Sequence, residues 1–304
     1  MWLAIFGYTA VAVLLFFGTL TYFLCIRFLH REFPEGGARA SGAIRASDGT
    51  YASNGTHTSD GRGFSCDTPD GCRIRGEILV PERPAGVAVV LTDLQDEGLV
   101  SWLLAKGIAV IRYSGRGCAG SGRKSTWGIR EARDLRLIYT TAVNREPDAC
   151  RTIGTVGRKT GAVAALLHAC IDDRVRFVVA VSPYADLREL LKKHLRDRGF
   201  PPFPMLQLAG LFCRWTRGVS PAKAAPAAEI RARGGLMKVP VLLAAEKHSG
   251  IPVQESARIA EALKGPVRTE ILSGPLDRPE RDSTERDQFR QWILDTAAQS
   301  AGSE

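Results

Sequence analysis

Hydrophobic and polar positions divide the 304-residue chain into three stretches. From Trp2 to Ile26 no charged residue interrupts an apolar run. At ~1.5 Å per residue a helix of this length crosses a bilayer core, so residues 1–30 are expected to form one transmembrane helix. Residues 31–62 turn to Gly, Ser, Ala and Thr without apolar periodicity. That composition predicts a flexible linker. From residue 63 to about 299 short apolar runs and longer amphipathic stretches alternate.

The alternation sets the expected elements. Thr68-Pro69-Asp70-Gly71 separates 63–66 from 73–80, the pattern of a hairpin. The runs 87–91 and 108–111 are continuously apolar, which suits parallel strands covered on both faces. Helices are expected over 98–106 and 128–143, the second with Ile129, Ala132, Leu135, Ile138 and Tyr139 on one face. Strand 152–156, helix 160–170 and strand 176–181 continue the series. A Pro- and Arg-rich stretch, 186–237, breaks it and reads as a cap-like insertion. Strand 239–245, helix 254–263, strand 267–272 and helix 284–297 close the chain. Repeated strand–helix units predict an α/β domain with a mainly parallel sheet, helices on both faces and right-handed crossovers.

Charge and cysteine usage narrow the classes. Lys+Arg of 41 against Asp+Glu of 32 gives a net charge of +9. The arginines are scattered and no nucleic-acid module is visible, so the excess points to an anionic membrane surface and not to nucleic acid. None of the seven cysteines has CxxC spacing, and no metal or cofactor site is expected. Cys66 and Cys72 flank the hairpin turn, where a bridge is conceivable, but scattered thiols in a domain of this size read better as small apolar fillers. The leading run lacks the basic start and the short apolar core of a cleavable signal. Leu24 is too large for a lipoprotein cleavage box ahead of Cys25, and the Asn54-Gly55-Thr56 sequon reads as chance. Arg27, Arg31, Arg39 and Arg45 follow the run and no basic side chain precedes it. The positive-inside bias therefore predicts a single-pass protein of the inner or plasma membrane with a cytoplasmic domain.

Motifs then appear in a telling order. The turn Thr68-Pro69-Asp70-Gly71 is followed by Gly107-Ile108-Ala109-Val110. The loop Arg116-Gly117-Cys118-Ala119-Gly120-Ser121-Gly122, the helix start Glu131-Ala132-Arg133-Asp134-Leu135 and the strand Val239-Pro240-Val241-Leu242-Leu243 come after it. Together they resemble the α/β-hydrolase superfamily, in its dienelactone-hydrolase and serine-aminopeptidase-like branch, over nearly all of 64–293. The resemblance implies an α/β-hydrolase fold with a serine on a GxSxG elbow, a histidine base and a carboxylate. Here the elbow is Gly157-Arg158-Lys159-Thr160-Gly161, with both glycines kept and Lys159 in the nucleophile position. His248 stands where the family has its acid. The turn that carries the family histidine is Ser273-Gly274-Pro275-Leu276-Asp277, without one. The oxyanion-loop pair "HG" is replaced by Thr92-Asp93.

A serine needs a base, and the base an orienting acid. With Lys159, His248 and Asp277 at the triad-equivalent positions, no catalytic residue is expected and the chain reads as a non-catalytic pseudo-hydrolase. Its expected role is binding: an elbow at a helix N-terminus attracts anions, and Arg158, Lys159 and Thr160 add positive charge and a hydroxyl. A small anionic ligand or a protein partner is the implied occupant, beside the membrane. The alternative is an active ester or thioester hydrolase or peptidase with a non-standard site. One form exchanges base and acid between His248 and Asp277 to serve Thr160 or Ser249; another uses a desolvated Lys159. Thr160 is expected to cap its helix. A phosphate loop is excluded, because Arg158 separates Gly157 from Lys159. In the insertion, Leu206, Leu208, Leu211 and Trp215 are expected on one amphipathic face, against the membrane, over the pocket mouth or packed on the domain.

Overall fold

A computed structural model describes residues 2–32, 62–94, 96–118, 120–233, 239–247, 249–272 and 283–301. The expected linker falls almost wholly outside these residues, as do His248 and Asp277. The leading apolar run forms helix α1, Trp2–Glu32, and its stretch Ile5–Leu24 is long and apolar enough to cross a membrane.

The domain opens with β1, Arg62–Asp67, and β2, Arg73–Leu79, paired antiparallel with Cys66 opposite Ile74. Both flanking cysteines are free thiols, and Cys72 is buried. Then follow β3, Val87–Thr92; α2, Glu97–Ala105; β4, Ala109–Ser114; α3, Glu131–Arg145; β5, Thr152–Arg158; α4, Thr160–Ala169; and β6, Val175–Val181. The insertion holds α5, Leu187–Asp197; α6, Pro202–Arg217; a single 3-10 turn at Pro221–Lys223; and α7, Pro226–Ala232. The chain closes with β7, Val241–Glu246; α8, Val253–Ala262; β8, Val267–Leu272; and α9, Ser283–Ala301.

The strands form one sheet in the order β1-β2-β4-β3-β5-β6-β7-β8. β1, β2 and β4 meet antiparallel, and every pairing from β4 across to β8 is parallel. β3 and β5 are buried at every position except Arg158, which is half-buried, as continuous apolar strands require when both faces are covered. One face carries α3, α4 and α8, with Leu135, Ile138, Val163, Leu166 and Ile259 in a shared core that also takes Leu191 and Met205 from the insertion. The opposite face carries α2 and α9 through Leu99, Leu103, Phe289 and Ile293.

This layering locates a crevice. After β3 the chain leaves for the α2 face; after β5, its neighbour in the sheet, it leaves for the α4 face. Ligands of open α/β sheets bind where adjacent strands diverge in this way. Thr92 and Gly157 are register partners, so β3 ends one residue short of β5 and Asp93 leaves the sheet level with Arg158, just before Lys159.

One boundary differs from expectation for a clear reason. Helix α3 begins at Glu131, three residues later than periodicity suggests, because Trp127 and Gly128 are left-handed at φ 57° and 91°. The Glu131 carboxylate accepts from the Thr126 and Gly128 N–H groups and from the Ser125 and Thr126 hydroxyls, and so closes the loop on itself.

Candidate functional site

Lys159 is the hinge between β5 and α4. Its backbone is left-handed, φ 52° and ψ −110°, a conformation that costs a residue with a Cβ about 1–3 kcal/mol. The strain is held from both sides. The Lys159 N–H donates to the Val181 carbonyl at 2.8 Å, while its own carbonyl accepts from Val163 at 3.1 Å. The two glycines make the bend feasible. A Cβ on Gly157 would run into the Gly161 carbonyl, and one on Gly161 into the Thr92 carbonyl. Thus the bend is tightly packed, and the residue at its apex is a lysine.

The residues around it depart from the sequence reading in three ways. First, Lys159 occupies the N-cap of α4 and Thr160 is already the first helical residue, buried inside the domain. The expected Thr160 cap is therefore corrected, because the bend falls one residue earlier than a Ser/Thr cap would place it. A lysine can only donate and cannot satisfy the helix N–H groups. Second, Arg158 turns away along the strand ends. Its Nε and Nη2 each lie 3.1 Å from Oε2 of Glu246, the fully buried last residue of β7. Ser182, left-handed at φ 48°, lies 3.3 Å from the same Glu246 oxygen, and its Oγ accepts from the Glu246 N–H at 3.1 Å. Third, Asp93 sits against Gly161 and accepts from its N–H. Its carboxylate lies at the helix N-terminus that was read as an anion site.

Of the three residues expected to hold an anion, then, Lys159 stands at the bend itself. Arg158 is committed to Glu246 and Thr160 is inside. Asp93 is itself left-handed at φ 52°. The residue is exposed to water, with protein packed close around it. That crowding, with Glu131 nearby and against the Gly161 hydrogen bond, pushes its pKa up to about 7. Before it, the Thr92 hydroxyl pairs with Tyr113 at 2.7 Å. Sequence reasoning missed Glu246, Ser182 and the role of Asp93. A lone Glu at a strand end carries no spacing that would mark it.

The remaining candidates lie elsewhere. Ser249 is buried, and its hydroxyl donates to the Ile251 carbonyl at 3.2 Å, which serves the turn before α8. His168 is at the far end of α4, roughly 12 Å along the axis from Thr160. It packs edge-on against Tyr139 and reaches Asp172 at 3.2 Å, and burial lowers its pKa. Among the described residues no group of three or more His, Cys, Asp or Glu side chains is placed to hold a metal ion. The resemblance motifs prove to be structural. Arg116, almost fully buried, bonds Asp70 of the hairpin turn at 2.7 Å and Asp134 of α3 at 2.6 Å. Arg130 adds a contact to Asp70 at 3.1 Å. A groove of about 740 Å³ beside this cluster is lined by Leu137, Arg133 and Arg136 among others, on the side of α3 and away from the elbow.

Solved structures agree on the class. The chain is similar to the Pyrococcus furiosus esterase Pf2001 at 16% identity and a TM-score of 0.61, covering 84% of this chain and 98% of that one. It is also similar to the α/β hydrolase GrgF from Penicillium sp. sh18, at 17% identity and a TM-score of 0.58 over 80% and 99% of the two chains. A third likeness is to a 2,6-dihydroxy-pseudo-oxynicotine hydrolase, at 16% identity and a TM-score of 0.60 over 79% and 69%. The sequence matches no family model and no curated relative. The chain has the α/β-hydrolase fold, with an apolar helix at its N-terminus.

Proposed function

We propose that this chain is a membrane-anchored pseudo-hydrolase: α1 holds it in the inner or plasma membrane, the domain faces the cytoplasm, and the elbow binds a ligand without cleaving it. One observation carries the reading. The bend keeps its strained left-handed geometry around an ammonium that has replaced the attacking hydroxyl. Strain of this kind persists where surrounding structure enforces it, and here it sets a residue that carries an ammonium at the bend between β5 and α4. With Arg158 neutralised by Glu246, the supporting chemistry is one ammonium and one carboxyl group that titrates near neutrality. That pair suits a carboxylate: Lys159 meets its charge, and Asp93, when protonated, donates a hydrogen bond to it. A multiply charged phosphate would meet Asp93 as a repelling neighbour once it ionises.

Calorimetry of the full chain in detergent with a series of short to long carboxylates tests this. Heat is expected at pH 6, weaker at pH 8 as Asp93 ionises, and absent in Lys159→Met. Equal heats from that variant would sink the reading. The same near-neutral Asp93 also favours a second one, an active ester or thioester hydrolase or peptidase with a non-standard site, since an acid–base group works best near the operating pH. Turnover of an activated ester that disappears in Asp93→Asn would establish it.

A further inference from the structure

The insertion does not simply cover its own domain. Helix α6 packs along α1: a Cβ on Gly18 would touch Leu208, and the Tyr22 and Phe212 rings lie 5.3 Å apart. Both contacts have the same offset along the two sequences, so the helices run in the same direction and stay in step over a turn. Carried back along the helical part of α6, which begins after the extended Phe203 at φ −101° and ψ 134°, that offset sets Met205 level with about residue 15, near the middle of the Ile5–Leu24 span. It sets Leu211 level with about residue 21, and Trp215 with about residue 25.

The chemistry of α6 follows this depth scale. Residues 199–213 contain no charged side chain, and the first charges after them are Arg214, level with Leu24 at the end of the apolar span, and Arg217, level with Arg27 just past it. Met205, Leu206, Ala209 and Cys213 face the domain core, and Leu208 and Phe212 face α1. A third face is bare: Phe203 is 74% exposed, Leu211 64% and Trp215 83%. Large side chains exposed together on one helix mark an interaction surface. An apolar end near mid-span, with a tryptophan and two arginines at the other end, is the profile of a segment running from acyl chains to headgroups.

We infer that α6 is embedded in one leaflet of the bilayer beside α1, so that Phe203 lies among acyl chains and Trp215 at the headgroup boundary. This rests on α1 spanning the membrane, the anchoring part of the proposed function. The occupant of the bare face is phospholipid. Its consequence for the site is direct. The Arg217 guanidinium at the wet end of α6 stacks 5.3 Å over Trp127 and donates to the Ser125 carbonyl, and the adjoining Gly128 abuts Val163 of α4, the elbow helix. Seating α6 in the leaflet therefore holds the elbow domain against the membrane surface, where a carboxylate ligand with an acyl tail is at hand.

The full chain reconstituted in phosphatidylcholine–phosphatidylglycerol vesicles gives the test. Emission of Trp215 is isolated by subtracting that of Trp215→Phe, in vesicles brominated either near the headgroup (6,7 positions) or deep in the acyl chain (11,12 positions). Trp215 is expected to lose most of its emission to the shallow bromines. A tryptophan moved to the other end, in the double variant Phe203→Trp with Trp215→Phe, is expected to lose most of its emission to the deep ones. An alkaline carbonate wash of the same vesicles reports on α1 independently. Protein that resists the wash while both tryptophans stay unquenched would refute the leaflet placement and leave the anchor standing; a blue-shifted, unquenched Trp215 would assign the face to a second copy or another protein instead. Protein that washes off would bring down the anchor and the placement together.

Discussion

Two arginines, each in a loop where the α/β-hydrolase fold has a characteristic motif, meet opposite local fates. Arg116 lies between two carboxylates, Asp70 and Asp134, with almost no exposure, and ties the opening hairpin to α3. Arg158 meets the buried carboxylate of Glu246 and remains 20% exposed at the ends of the strands. At the hairpin junction the arginine and Asp134 are buried and their charges are matched. At the elbow, by contrast, a left-handed lysine, an arginine held to one side and a carboxyl group in the wrong electrostatic surroundings stand within a few residues of one another. Two loops of one fold can thus hold their charges differently, and the difference lies in how deeply each charge is buried.

Removing the matched cation should do the most damage. Arg116→Leu leaves Asp134 buried without a partner, and equilibrium unfolding in urea should show a loss of about 3–5 kcal/mol. A loss below about 1 kcal/mol would mean that water reaches the junction and that it is not closed. Arg158→Leu takes the guanidinium away from Glu246, which keeps the Ser182 hydroxyl, and should cost less, about 2–4 kcal/mol. The double variant Arg158→Leu with Glu246→Leu should recover most of that loss, because no uncompensated charge then remains. If the two substitutions add instead, the pair is not coupled and the contrast between the loops weakens.

The smallest effect separates the regions by pH. Asp70 is held well below the usual carboxylate range, first by hydrogen bonding to Arg116. Its contribution to stability is present above that range and is lost as acid takes the pH down through its folded pKa. Asp93 has the opposite sign. Its pKa is raised to about 7 in the folded protein, so the native state binds more protons than the unfolded chain between about pH 4 and 7, and stability falls as the pH rises through that window. Asp93→Asn should therefore match the parent near pH 4 and exceed it by about 1 kcal/mol at pH 8, a modest figure because water reaches the side chain and screens it. Thermal unfolding at the two pH values measures this, and an unchanged difference would show that Asp93 is not the group that makes the elbow unsettled.

Much of this was readable from the residues. The order of strands and helices, the two elbow glycines and Lys159 between them all follow from local patterns, and each was found where expected. Less readable were features that depend on partners far away in the chain. The insertion shows why: Leu206, Leu208, Leu211 and Trp215 were expected on one face, yet Leu206 is buried in the core, Leu208 meets Gly18, and Leu211 and Trp215 are exposed. Periodicity says which positions are apolar, but not which of several neighbours each one meets. Thr160 failed for a related reason, since cap preference is statistical and the bend was set by close packing of two glycines against carbonyl groups.

By itself the amino-acid order determined an apolar first helix, an alternating α/β domain and a lysine between two glycines at the bend after β5, because these depend on neighbours within a turn or a strand. Only the tertiary structure decided that Glu246, 88 residues away, takes the charge of Arg158, that Asp93 lies over the start of α4, and that α6 runs beside α1. Pairing and desolvation are properties of a place in space, and a chain acquires them only after its sheet has brought distant ends together.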